Sequence, residues 1–322
     1  MKYLSTLALV AQLLVLSSVA AAQDYPHKPI RLIVPFPNGG GQSLMAKTFA
    51  ERMSAELGQP MTVENVPGKY GATGTDLVAK SPADGYTLLL ASTGPLMIAP
   101  AGNPSSPYNT SKDFSAVGLI GEIPFVLMVS PKLQVNTAAE LVSLAKAKPG
   151  ELRFASSGQS TLSHLVTEYF ASVVQVELKP ENYQTGPRTY AALEENKVDL
   201  FFDSVVYATI GIGSGRAKPI GVFGYKGTSI VPNLPILQQQ YPQLRATLWL
   251  GLVGPKDLPP PVISKVYAAM VKVLTTTEMK ERLAAIGAEV VESTPDTFQK
   301  FLELEPAGWR DIIQRRGIKI PQ

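Results

Sequence analysis

Cysteine is absent from all 322 residues. No disulfide, thiolate nucleophile, cysteine metal ligand or lipid-attachment cysteine is therefore available. Histidine is nearly as scarce, with His27 and His164 the two that occur. That is a thin ligand set for a metal and thin support for catalysis. Charge is sparse too: 17% of residues are charged, the net charge is +3, and no basic run stands out. This balance argues against a nucleic-acid partner. Beyond the N-terminus no apolar stretch approaches ~20 residues, so no further bilayer span is expected. What is present is a 45% hydrophobic content, which reads as globular rather than disordered.

The N-terminus carries the first positive signal. Lys2 precedes an apolar run from Leu4 to Leu16, and Ala20-Ala21-Ala22-Gln23 offers an A-x-A cleavage site. The run is short and no charged stop-transfer flank follows it, which predicts a secretory leader over residues 1–22, cleaved after Ala22. Removing Lys2 lowers the net charge from +3 to +2. Roughly 300 residues remain, enough for two lobes with cores of their own.

From Ile30 onward strand-like and helix-like segments alternate. Ile30 to Phe36 is a β-rich run ended by Pro37-Asn38-Gly39-Gly40-Gly41. Met45, Phe49, Met53 and Leu57 then recur at helical spacing, with Gly58 as a stop. Met61–Glu64 and Thr87–Ala91 read as strands and Gly71–Ala79 as a short helix. This order predicts a parallel sheet covered by helices. A second series starts near Gly118. It comprises strands at Phe125–Val129, Arg153–Ala155, Val198–Phe202 and Pro219–Gly224, and helices at Thr137–Ala147 and Leu162 to about Val173. Gly211 to Gly215 reads as a flexible turn and Pro255 to Pro261 as a linker. Ile263, Val266, Tyr267, Met270 and Leu274 stripe a helix, and Thr294-Pro295-Asp296 starts the last one. Two α/β series and a helical tail predict a chain that crosses between lobes more than once.

The sharpest chemical feature is Pro35 to Ser43, between a strand and a helix. Its glycines either make a tight turn or permit close backbone approach to a ligand, and the helix start offers free N–H groups suited to an anion. No Lys-Ser/Thr pair follows the glycines and the G-x-G-x-x-G spacing is missing, so it is neither a P-loop nor a dinucleotide fingerprint. Ser156-Ser157-Gly158-Gln159-Ser160-Thr161 repeats the plan, and His164 sits one turn into the helix behind it. This second loop is either a further polar-group site or an ordinary helix cap. His164 is expected to bond its own helix or loop. Asp203, after an apolar strand, stands where open α/β sheets bind ligands; it either accepts from a ligand or caps the next helix. A Ser157–His164–Asp203 triad is conceivable, but no G-x-S-x-G elbow presents a serine.

At these loops the chain resembles the Bug receptors, the extracytoplasmic substrate-binding proteins of tripartite tricarboxylate transporters. The matching pieces include Tyr25-Pro26, Lys28-Pro29-Ile30-Arg31, Val34-Pro35-Phe36-Pro37, Gly39-Gly40-Gly41, Glu64-Asn65, Pro67-Gly68 and Asp84-Gly85-Tyr86-Thr87-Leu88. Later come Lys112-Asp113-Phe114, Ala155-Ser156-Ser157-Gly158, His164, Val198-Asp199-Leu200, Phe202-Asp203, Trp249 and Gly287-Ala288. The resemblance implies a type II periplasmic-binding-protein-like α/β fold, two α/β lobes around a ligand cleft. Lobe 1 is expected at 23–125 and 229–322, and lobe 2 at 126–228. It implies a periplasmic, unanchored and monomeric receptor without cofactor or metal, which passes a small carboxylate to a membrane permease. The implied ligand contacts are Phe36, Asn38, Gly39, Gly40, Gly41, Gln42 and Ser43 of the first loop and residues 156–161 of the second. Asp203 lies near them, and Ser92, His164 and Arg188 are further candidates on this chain's own residues.

Three departures bear on specificity. Gln42-Ser43 stands where the family usually has Thr-Asp, which disfavours an amino-acid ligand. Tyr183-Gln184-Thr185-Gly186-Pro187-Arg188 replaces Tyr-Lys-Gly-x-x-Pro, and Phe202-Asp203-Ser204 replaces Phe-Asp-Asn. Arg188 is either the partner of a distal ligand carboxylate or a solvated surface arginine. A dicarboxylate and an aromatic carboxylate both fit two anion-binding loops. The competing readings are a secreted hydrolase, and a receptor of the same fold that presents its ligand to a sensor kinase.

Overall fold

The computed structural model describes residues 25–39, 41–156, 161–183, 186–224, 227–244 and 248–320. The expected leader lies outside the described residues.

The first half builds β1 (Ile30–Val34), α1 (Gly41–Leu57), β2 (Met61–Asn65), α2 (Ala72–Ala79) and β3 (Thr87–Ser92). A π turn at Gly94–Ile98 runs into α3 (Ala99–Gly102), and β4 (Phe114–Glu122) follows. The chain then crosses through Ile123 and Pro124 into β5 (Phe125–Val129), α4 (Ala138–Ala147), β6 (Arg153–Ser156) and α5 (Leu162–Val174). Next come β7 (Lys179–Asn182), α6 (Gly186–Glu194), β8 (Leu200–Ser204), α7 (Val205–Gly213), β9 (Lys218–Phe223) and α8 (Leu237–Gln240). The return leads to β10 (Trp249–Pro255), α9 (Pro260–Thr275), α10 (Thr277–Ala285) and α11 (Pro295–Arg315).

The strands form two sheets with one plan, ordered β2-β1-β3-β10-β4 and β7-β6-β8-β5-β9. Three parallel strands lie at one side of each sheet, and β10 or β5 runs antiparallel between its neighbours. Both faces of the first sheet are covered. Ile30, Leu32 and Val34 pack under Met45, Phe49 and Met53 of α1, while Ile33 and Leu89 join the core on the other face. That split follows from the two-residue period of a strand. Burying a side chain such as Phe49 contributes about 2–3 kcal/mol.

β1 stops at Val34 because Pro35 has no N–H to continue the ladder. Gly211 to Gly215 is not a flexible turn: α7 runs through Gly213, leaving Ser214 and Gly215 as its end. Gly211 belongs there for packing, since an added Cβ would stand 2.3 Å from the Tyr190 ring. Among the described residues no helix is long and apolar enough to cross a membrane.

Candidate functional site

The carboxyl ends of the strands and the starts of three helices enclose a cavity of about 410 Å³. Phe36, Gln42, Tyr70, Ser92, Thr93 and Gly94 line it from the first sheet. Phe125, Leu162, Asp203, Ser204 and Tyr207 line it from the second, and Ile123, Leu248, Trp249 and Ile286 form the remaining wall. Gln42, Leu162 and Ser204 lie at the N-terminal ends of α1, α5 and α7. Grooves of about 630 and 530 Å³ elsewhere lie along α11. The smaller cavity is the candidate because strand ends and helix starts converge on it, the arrangement in which open α/β sheets hold ligands.

The first loop is anchored from beneath. Asn65 Nδ2 donates to the Phe36 carbonyl at 2.9 Å, and Ser43 Oγ donates toward Asn65 Oδ1 at 3.2 Å. Ser43 is buried and faces these amides rather than the cavity. Asn38 is exposed and accepts from Lys47 Nζ at 3.0 Å. Gly39 and Gly41 are exposed, and Gly40 lies outside the described residues. Gln42 Oε1 is buried without a hydrogen-bond partner among the described residues.

Beside this loop Lys69 and Tyr70 take left-handed backbone angles, φ +48° and +55°. Consecutive non-glycine residues in that region are strained, and such strain persists where packing enforces it. Here it brings the Tyr70 ring against Gly94, and burial raises the Tyr70 hydroxyl above its ordinary pKa.

On the second sheet Asp203 Oδ2 is 2.8 Å from Tyr190 Oη, and Oδ1 accepts from the Ser204 N–H at 2.8 Å. Burial pushes the Asp203 carboxyl up to about 6, against hydrogen bonds that favour its ionised form. Ser92 lines the cavity at the end of β3. Ser156 and His164 are buried together, with Oγ and Nδ1 2.9 Å apart. Burial lowers His164 to about 4, so its ring is neutral at neutral pH. Asp203 thus meets Tyr190 and Ser204, while His164 meets Ser156, Phe154 and Glu168. Thr161 Oγ1 caps α5 by accepting from the His164 N–H. Ser157, Gly158, Gln159 and Ser160 lie outside the described residues. Arg188 is exposed on the first turn of α6.

Of the expected contacts, Phe36, Gln42, Ser92 and Asp203 line one cavity. Sequence reasoning missed Tyr70, Thr93, Gly94, Tyr207 and Ile286, and it noted Trp249 without assigning it to the site. The Pro67-Gly68 and Gly71 pieces flanking Tyr70 were the available signal for that residue.

Residues 45–318 match the family described as the tripartite tricarboxylate transporter family receptor. The chain is 32% identical over 319 residues to Protein BugT of Bordetella pertussis, covering 98% of each chain. It is 28% identical to an R. palustris protein solved with adipate, with TM-score 0.66 over 92% of this chain and 99% of that one. It is 26% identical to MatC of Rhodopseudomonas palustris with bound malate, with TM-score 0.64 over 90% of this chain and 100% of that one. The two-sheet α/β fold is therefore that of a type II periplasmic binding protein. The chain belongs to the tripartite tricarboxylate transporter receptor family, whose members are periplasmic binding proteins and not enzymes.

Proposed function

We propose that this protein captures a small dicarboxylate between its two lobes and delivers it to the membrane permease of a tripartite transporter. The carrying observation is the 410 Å³ cavity, at which three helix N-termini converge. Helix starts supply N–H donors and positive dipole ends to a carboxylate. The adipate and malate of the two relatives fall in the same chemical class. Phe36, Gln42, Ser92, Asp203 and the two Gly/Ser loops form the binding surface in this reading. The lobes close about the crossing at 123–124, a population shift driven by contacts made in the closed state.

The test is a thermal-shift screen of adipate, malate, tricarboxylates and aromatic carboxylates, followed by calorimetry. Saturable binding at a hundredfold excess over Kd stabilises by about 2.7 kcal/mol. A screen in which no carboxylate moves Tm or gives heat would end the proposal. Arg188, exposed at the start of α6, is assigned the distal carboxylate. Arg188→Ala should then weaken dicarboxylate binding about tenfold or more, as loss of a charged hydrogen bond does. Unchanged affinity would return Arg188 to the solvated surface.

A further inference from the structure

Tyr190 Oη stands 2.8 Å from Asp203 Oδ2 and 2.8 Å from the main-chain oxygen of Tyr207. A phenol carries one hydrogen, and both neighbours are pure acceptors while Asp203 is ionised. The one phenolic hydrogen is then shared between the two acceptors. Protonating Asp203 supplies the second hydrogen: the phenol donates to Tyr207, and Asp203 donates through Oδ2 to the phenol oxygen. Oδ1 stays free to accept from the Ser204 N–H.

We propose that Asp203 is the protonated acid of the loaded receptor, so that capture of an anionic solute takes up a proton at this one carboxyl. The inference rests on the carboxylate reading above. Its reason lies in the charges around the cavity. Among the described lining residues there is no lysine, arginine or histidine, and Asp203 is the one acid. An ionised Asp203 would repel the solute it helps enclose; a protonated one does not.

Among the described residues no lysine, arginine or histidine pairs with Asp203. From α6 Tyr190 faces the carboxyl, and Arg188 on the same helix is exposed. From α7 the neighbour is Tyr207, and β5 sets Val126 opposite Asp203 and carries no charge. Across the cavity stand Gln42 and Tyr70, and His164 of α5 turns to Ser156. Burial already holds the carboxyl near 6 without solute, and a nearby anion raises it further. Binding must then carry a proton with it, by linkage.

Calorimetry with adipate and malate tests this between pH 6.5 and 8.5, in buffer pairs of different ionisation enthalpy. The expected result is uptake approaching one proton per solute, with affinity falling by up to about tenfold per pH unit. Asp203→Asn should take up no proton, show a flat profile and bind more tightly than the native protein at pH 8.5. A flat native profile without uptake, or a variant that keeps the native pH dependence, would overturn the proposal. Should neither carboxylate bind, the functional reading fails, and the proton is read separately. Carbon-13 NMR of the aspartate carboxyls in the unliganded protein follows Asp203, with Tyr190→Phe as the probe. A midpoint that falls in Tyr190→Phe supports an acid donating to the phenol. A midpoint that rises means Tyr190 donates to an ionised carboxylate, and the proposal is wrong.

Discussion

His164 shows how one side chain's meaning depends on what surrounds it. From the sequence it stands beside a Ser-Ser-Gly loop, where a ligand contact or a triad member is conceivable. In the fold it is 3% exposed, shares a hydrogen bond with Ser156 and leans on the Phe154 ring. Burial disfavours the charged ring, so its pKa drops from 6.5 to about 4. A depressed histidine contributes stability that is present above the unfolded value and lost as pH falls from about 6.5 through 4. The full swing is about 3 kcal/mol at 1.36 kcal/mol per unit. His164→Asn should therefore be less stable than the native protein at pH 7.5, yet lose less on acidification to pH 4.5. Urea unfolding at the two pH values decides this, and parallel losses in both proteins would show that His164 does not carry the acid sensitivity. Ser43 teaches a related lesson. It stands in the first Gly-rich loop, but it points beneath the loop at Asn65, so it serves loop anchoring rather than the cavity.

At the scale of elements, local chemistry was largely readable. Helix α1 was legible from a four-residue stripe, α11 from Thr294-Pro295, and the parallel strands from apolar runs bounded by turns. The less legible elements owe their form to distant partners. Strand β10 has glycines at Gly251 and Gly254, poor strand formers, yet it lies between β3 and β4 because Phe298 and Leu258 fill the space a side chain would occupy. In α11 Pro306 has no N–H for the Leu302 carbonyl, and Ser111 Oγ, 191 residues away, donates to it at 3.3 Å. The turn before α2 is similar. Gly71 has φ +88°, and a Cβ there would stand 2.5 Å from the Pro95 ring. Gly71→Ala should cost about 2 kcal/mol or more, from the backbone angle and the clash together. A lowered Tm in calorimetric scans checks it, and a Tm within a degree of the native one would show that the turn relaxes freely.

Across the whole molecule, α11 ties the two sheets together behind the cleft. Its early part packs on Trp249 and Gly251 of the first sheet through Phe298. At its end Arg316 Nε pairs with Glu168 of α5 at 3.2 Å, and Arg316 Nη2 donates to the Val176 carbonyl. Glu168 is buried, which raises its pKa, and Arg316 opposes that rise. Removing Arg316 leaves a buried carboxylate without its cation. Arg316→Ala should destabilise by about 1–3 kcal/mol at pH 7.5. The difference from the native protein should shrink as pH falls and Glu168 protonates, since a neutral acid has no charge to compensate. Denaturant unfolding of both proteins at pH 7.5 and 4.5 measures it, and a difference that grows toward low pH would contradict the account.

The sequence by itself determined the order of elements and the family, because period, turn residues and caps are encoded among near neighbours. The tertiary structure decided which side chains meet. It turned Ser43 and His164 inward, brought Tyr70, Trp249 and Ile286 to the cavity, and set Tyr190 between Asp203 and Tyr207. Those outcomes depend on contacts between elements that only packing brings together, such as β10 against β3, where Leu250 faces Ser92. Spacing along the chain carries no record of them.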